Sequence, residues 1–154
     1  MIHVLFVCLG NICRSPMAEA IFRDLIVKNN LQDKIVVDSA GTGNWHIGEK
    51  PHIGTQKILT ENTISFEGIT ARQVEKNDLT KFHYIVVMDE QNLHDVYRFG
   101  QSKGYVGRLS DFVPTDSWKD VPDPYFTGNF QEVFDLVTEG CKHLLEHIRK
   151  ENSM

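Results

Sequence analysis

The amino-acid sequence predicts an α/β fold, a parallel sheet covered by helices on both faces, and three observations carry that expectation. Short, β-branched and almost wholly apolar runs recur at residues 2–8, 35–37 and 84–88, as strands buried on both faces require. Helix-spaced apolar patterns lie between and after them. Of these the C-terminal one is the clearest: Phe130, Val133, Phe134, Val137, Cys141, Leu144, Leu145 and Ile148 keep to one helical face. Buried strands alternating with helices give a parallel sheet with right-handed crossovers.

Each element has its own signal. The run IHVLFVC makes the first strand. After it, Ser15 suits an N-cap and Pro16 a first helical position, opening a helix that carries Ala18, Ile21, Phe22, Leu25 and Ile26. Pro51 opens another helix through Ile58 and Leu59. Residues 104–112 hold a fourth strand with weaker alternation. No repeat, low-complexity tract or Pro/Gly/Ser-rich linker divides the chain, so its 154 residues are expected to form one domain, 1–154.

Composition narrows the function. With 41 % apolar and 24 % charged residues the chain buries a core rather than staying disordered. Its net charge of −5 argues against nucleic acid or an anionic membrane as main partner. The longest wholly apolar run, residues 4–9, is too short to cross a bilayer, and no export signal is visible. Three scattered cysteines, Cys8, Cys13 and Cys141, do not make a disulfide framework, so a reducing, cytoplasmic setting is expected. A monomer fits this composition.

Parallel sheets bind ligands beyond the carboxyl ends of their strands. The first strand ends at Cys8, and CLGNICRSP joins it to a helix start. Backbone N–H groups in such a loop, with a helix dipole behind them, make an anion cradle. Gly10 is able to take positive φ and Asn11 tolerates it. Arg14 supplies a planar fork for two phosphate oxygens. A field that holds an oxyanion also stabilises a thiolate at Cys8, to which Ser15 can donate its hydroxyl. Cysteine and arginine at this spacing mean little alone. Between a buried strand and a Ser-Pro helix start, they describe a nucleophile in an anion cradle.

A nucleophile facing a phosphate ester needs an acid for the leaving oxygen. Asp123-Pro124-Tyr125 follows Val121-Pro122, and two prolines stiffen that loop. Asp38, Asp78, Asp89 and Asp111 compete for the role, and periodicity does not choose between them.

With CLGNICRSPMAEA, DSAGT followed by Trp45, the MDEQNL segment and Asp123-Pro124-Tyr125 in order, the chain resembles the low-molecular-weight protein tyrosine phosphatases along essentially its whole length. The resemblance implies a three-layer sandwich with a central four-stranded parallel sheet and a phosphate-binding loop after the first strand. It makes Cys8 the nucleophile, Arg14 the ligand of phosphate and transition state, and Asp123 the general acid. It places Leu9, Gly10, Asn11, Ile12, Cys13 and Ser15 around the phosphate, with Asn11 and Ser39 bracing the loop. Trp45 and Tyr125 become aromatic walls, His46 joins their rim, and the partner is a phosphotyrosine-containing protein.

Several positions refine the resemblance. Phe126 stands where many members carry a second tyrosine. The resemblance offers Cys13 as a redox partner of Cys8, and a passive loop thiol is the equal alternative, whereas Cys141 lies on an apolar stripe and belongs to the core. The seven histidines show no ligand-like spacing, so neither metal nor cofactor is expected. A thiol-dependent arsenate reductase would need two further cysteines close together. Protein arginine phosphatases share the loop but carry threonine before its second cysteine, where this chain has Ile12.

Overall fold

The computed structural model describes residues 1–114, 116 and 118–154. Four strands form one sheet: β1 (Ile2–Cys8), β2 (Ile35–Gly41), β3 (Tyr84–Val87) and β4 (Tyr105–Arg108). Their order is β2-β1-β3-β4 and every pair is parallel, with Cys8 opposite Gly41 and Val7 opposite Val87. The helices are α1 (Arg14–Lys28), α2 (Ile53–Glu61), α3 (Asp78–Lys81), α4 (Glu90–Val96), α5 (Pro124–Thr127) and α6 (Phe130–Glu151). The expected three-layer sandwich is the fold observed.

β1 runs through the middle, and Val4, Leu5, Phe6 and Val7 are fully buried. Successive side chains point to opposite faces. Val4, Phe6 and Cys8 join the core built with Met17 and Phe22 of α1 and Leu144 and Ile148 of α6. Leu5 and Val7 join a second core with Leu79, Phe82 and Val96. The chain leaves β1 for β2 on one side and later returns to β3 on the other. This order reversal puts a crevice at the carboxyl end of β1.

The C-terminal stripe packs as its spacing requires. Val133, Val137, Cys141, Leu144, Leu145 and Ile148 are buried, and Asn129 caps the helix by accepting the Glu132 N–H at 3.0 Å. Burial pushes the Cys141 thiol up from its ordinary range, in keeping with a core residue.

Two local expectations change, and a third holds with narrower bounds. α1 begins at Arg14 and not after Ser15, because the loop turns directly into the helix and the Ser15 hydroxyl is engaged by Cys8 and Asn11. Pro16 remains within the first turn, where a missing N–H costs nothing. Residues 104–112 hold a strand only to Arg108; a 3-10 turn follows, in which Asp111 accepts the Arg108 N–H at 2.9 Å. α2 starts at Ile53 and is capped by His52, whose ring accepts the Gly54 N–H at 3.0 Å. Among the described residues no helix is long and apolar enough to cross a membrane.

Candidate active site

Of the carbonyls of residues 8–13, those of Cys8, Leu9, Ile12 and Cys13 are claimed by hydrogen bonds. Thr42 N–H donates to the Cys8 carbonyl at 3.0 Å, Gly43 N–H to that of Leu9 at 2.8 Å and His52 N–H to that of Ile12 at 2.7 Å. The Cys13 carbonyl accepts from Met17 N–H at 3.3 Å and from the Thr55 hydroxyl at 3.2 Å. Among the described residues, no N–H of residues 9–15 donates to an acceptor in this chain. Carbonyls turned away and amides left over are what an anion cradle needs, and the first turn of α1 adds its dipole.

Backbone conformation explains two residues of this loop. Asn11 adopts φ 56°, the left-handed region. Gly10, though able to take positive φ, does not; what it provides is room, since a Cβ there would lie 3.2 Å from His46 Cδ2. At the end of β2, a Cβ on Gly41 would sit 2.7 Å from the Leu9 carbonyl, so glycine lets the two segments close up.

Behind the loop runs a buried polar chain whose hydrogens are assigned from the one backbone donor that faces it. Arg72 N–H donates to Asn11 Oδ1 at 3.0 Å, which fixes the amide's orientation. Asn11 Nδ2 then donates to Ser15 Oγ at 2.7 Å and to Ser39 Oγ at 3.0 Å. Ser15 Oγ, already accepting, has its own proton left for Cys8 Sγ 2.9 Å away. Ser39 Oγ passes its proton to Glu19 Oε1 at 2.6 Å.

Arg14 is only 2 % exposed and lies among carboxylates. Its Nη1 donates to Asp89 Oδ2 at 2.6 Å and to the Val121 carbonyl at 3.0 Å; Nη2 reaches Asp123 Oδ2 at 3.4 Å. Burial works against the charge, but Cys8, Asp89 and Asp123 outweigh it and hold the guanidinium more firmly protonated than usual.

A cavity of about 410 Å³ opens over the loop, with Cys8, Leu9, Gly10, Ile12 and Cys13 in its lining. Asp123 lines it as well, whereas Asp38, Asp78, Asp89 and Asp111 do not. These four have other partners: Arg72 binds Asp38 and Asp78, Arg14 binds Asp89, and Arg108 binds Asp111. Asp123 is held by its own turn, with Tyr125 N–H donating to Oδ1 at 3.1 Å. Trp45, His46, Tyr125 and Phe126 make the aromatic rim. Phe126 thus faces the cavity despite lacking a hydroxyl. Asn11, Arg14 and Ser15 lie buried behind the lining, and Ser39 sits one layer deeper on β2.

All three cysteines are buried free thiols. Burial, then the neighbouring Cys8 and Asp123, push the Cys13 thiol up to about 12. Sequence reasoning missed Asp89 as the partner of Arg14, and it missed Glu19 altogether. Asp89 has a local signal, because an aspartate directly after a strand and before a helix pattern is an N-cap; it accepts Asn92 N–H at 2.7 Å.

The family model described as low molecular weight phosphotyrosine protein phosphatase matches residues 3–154. The low molecular weight protein-tyrosine-phosphatase YfkJ of Bacillus subtilis (strain 168) is 54 % identical over 156 residues, covering 100 % of both chains. The crystal structure of YfkJ matches with a TM-score of 0.96 at 55 % identity, covering 98 % of this chain and 96 % of that one. A drosophila arginine phosphatase has a TM-score of 0.87 at 33 % identity, covering 95 % and 97 % respectively.

Proposed function

The chain belongs to the low molecular weight phosphotyrosine protein phosphatase family, and from that premise we propose that it hydrolyses phosphotyrosine in proteins through a cysteinyl-phosphate on Cys8, as one domain spanning 1–154. The observation that carries the reading is the Cys8 sulfur in the lining of a cavity whose loop has surplus N–H groups, with the buried Arg14 cation behind it.

In the first step the Cys8 thiolate attacks phosphorus in line. The sulfur–phosphorus bond forms, the phosphorus–oxygen bond to the tyrosyl group breaks, and Asp123 gives its proton to the leaving oxygen. In the second step Asp123 takes a proton from water, whose oxygen attacks phosphorus. The sulfur–phosphorus bond breaks, inorganic phosphate leaves and the Cys8 thiolate returns, with Ser15 donating to it. Loop amides of Leu9, Gly10, Asn11, Ile12, Cys13 and Ser15, together with Arg14, stabilise the equatorial oxygens in both steps. The unequal grip on Arg14 suits this role. Nη1 is anchored on Asp89 at 2.6 Å, while the 3.4 Å contact of Nη2 with Asp123 is loose enough to exchange for a phosphate oxygen.

Trp45 and Tyr125 wall the substrate ring, and Ile12 adds an apolar surface. Ile12 offers no hydroxyl to a guanidinium, which favours phosphotyrosine over phosphoarginine. Cys13 is the resolving thiol we infer for an oxidised Cys8. Once a peroxide has made Cys8 a sulfenic acid, attack by the Cys13 sulfur forms the disulfide and releases water.

The test compares turnover of phosphotyrosine, phosphoserine and phosphoarginine peptides by the wild type, with Cys8→Ser as the blank. Release from phosphotyrosine alone, lost in the variant, is the expected result. Preference for phosphoarginine would overturn the substrate, and no release from any of them would overturn the chemistry.

A further inference from the structure

Glu19 is a buried acid on α1 with no part in the mechanism above, yet a continuous line of hydrogen bonds joins it to the nucleophile. From Glu19 the line runs through Ser39 (2.6 Å) and Asn11 (3.0 Å) to Ser15 (2.7 Å) and ends at Cys8 (2.9 Å). Every member is buried, so water does not compete for these groups.

A line of hydroxyls and one amide can be polarised in two directions. In the direction assigned from the Arg72 N–H contact, Asn11 gives both Nδ2 hydrogens to the two serines, Ser15 points its proton at sulfur, and Ser39 points its proton at Glu19. In the reversed direction the amide is flipped, both serines donate to Asn11 Oδ1, and Cys8 loses its donor. The reversed arrangement becomes attractive when Ser39 has no other acceptor, because a buried hydroxyl proton without a partner is costly. Glu19 supplies that acceptor on one side of Asn11, and the Arg72 N–H holds Oδ1 on the other.

We propose that Glu19 is a positioning residue: by accepting the Ser39 proton it fixes the polarity of the Ser39–Asn11–Ser15 chain and so keeps the Ser15 hydroxyl donating to Cys8. The consequence for turnover rests on the nucleophile reading of Cys8, whereas the hydrogen-bond polarity does not. The acceptor role needs an oxygen and not a charge. Burial, with Asp38 adding to it, outweighs Ser39, Arg23 and Arg72 and raises the Glu19 carboxyl to about 7. The protonated acid still presents a carbonyl oxygen to Ser39, and so does the amide of glutamine.

The experiment is alkylation of Cys8 by iodoacetamide at about pH 6, read on the Cys8 peptide by mass spectrometry, where the rate follows the thiolate fraction. Glu19→Leu removes the acceptor and slows alkylation of Cys8 about tenfold. Glu19→Gln restores the rate to within about twofold of wild type. In a Ser39→Ala background, where no proton needs an acceptor, adding Glu19→Leu causes no further slowing.

A Glu19→Leu protein with wild-type circular dichroism and an unchanged rate would overturn the proposal, and so would a Gln variant as slow as Leu. If the single Leu variant fails to fold, the Ser39→Ala/Glu19→Leu protein, in which two apolar groups replace a bonded pair, is compared with Ser39→Ala, and Gln with wild type; further slowing in either comparison contradicts the assignment. Alkylation reports the polarity without any phosphoester. A wild type that fails to dephosphorylate phosphotyrosine therefore refutes the proposed function and leaves this comparison intact.

Discussion

Arg14 and Asp89, 75 positions apart in sequence, meet at 2.6 Å where β1 and β3 lie side by side. The same Asp89 carboxylate caps α4 with its other oxygen, so one side chain both starts a helix and anchors the buried cation where the β1–α1 loop enters α1.

The two duties separate by substitution. Asp89→Asn keeps an oxygen for the Asn92 N–H but loses the charge facing Arg14. It should lower kcat/KM on a phosphotyrosine peptide by about 10²-fold, the scale expected when a catalytic group is misplaced by about 1 Å. Asp89→Ala loses the cap as well and should cost about 1 kcal/mol more in stability than Asn. Urea denaturation and steady-state kinetics on the pair check both. Equal kcat/KM in wild type and Asn variant would remove Asp89 from the account.

Asp123 is the one carboxylate among the five candidates that lines the cavity. Replacing it with Asn preserves an acceptor for the Tyr125 N–H and removes the transferable proton. The expected result is a fall of about 10²–10⁴-fold in kcat, with loss of the pH dependence that proton delivery imposes. A pH–rate profile with the wild-type shape and height would assign the acid elsewhere.

Glu19 also couples stability to pH. Its folded value of about 7 lies above its ordinary 4.5. Between the two, the folded chain keeps a proton that the unfolded chain has released. Stability is therefore fully present below about 4.5, falls as pH rises through about 7, and is flat beyond. The ceiling on this loss is about 3 kcal/mol. Urea midpoints at about pH 5 and about pH 8 measure it, and Glu19→Gln should abolish this contribution. A Gln variant with the full wild-type slope would trace the dependence to other groups.

The three thiols should separate by reactivity. Cys13, pushed up to about 12, and Cys141, raised by full burial, remain neutral thiols at neutral pH. Iodoacetamide at about pH 7.5 should label Cys8 at least 10²-fold faster than either, with Cys13 and Cys141 reacting on unfolding. Peptide mapping over time gives the ratio. Comparable labelling of Cys13 in the folded protein would contradict its burial.

Local pattern carried much of this structure. β1 announces itself because a central strand buried on both faces is apolar at nearly every position, and α6 because one face of a long helix supplies a core. The candidate site was legible because Cys8, Arg14 and Ser15 fall within one short segment between the β1 run and the Ser-Pro start of α1. What escaped depends on contacts far apart in the chain. Asp89 becomes the Arg14 partner only once β3 is set beside β1, and Glu19 matters only because α1 packs on β2 and brings it to Ser39. The part Gly10 plays was hidden because the close approach of His46 is a tertiary fact, while φ is the property a sequence suggests first.

The most direct test of the central claim is to quench the wild-type enzyme with acid while it turns over a phosphotyrosine peptide, and then to map the phosphoryl group by mass spectrometry. One phosphoryl group is expected on the peptide containing Cys8, absent from Cys8→Ser, with released phosphate derived from it. Rapid phosphate release with Cys8 unmodified at every time point, or a phosphoryl group on another side chain, would contradict it.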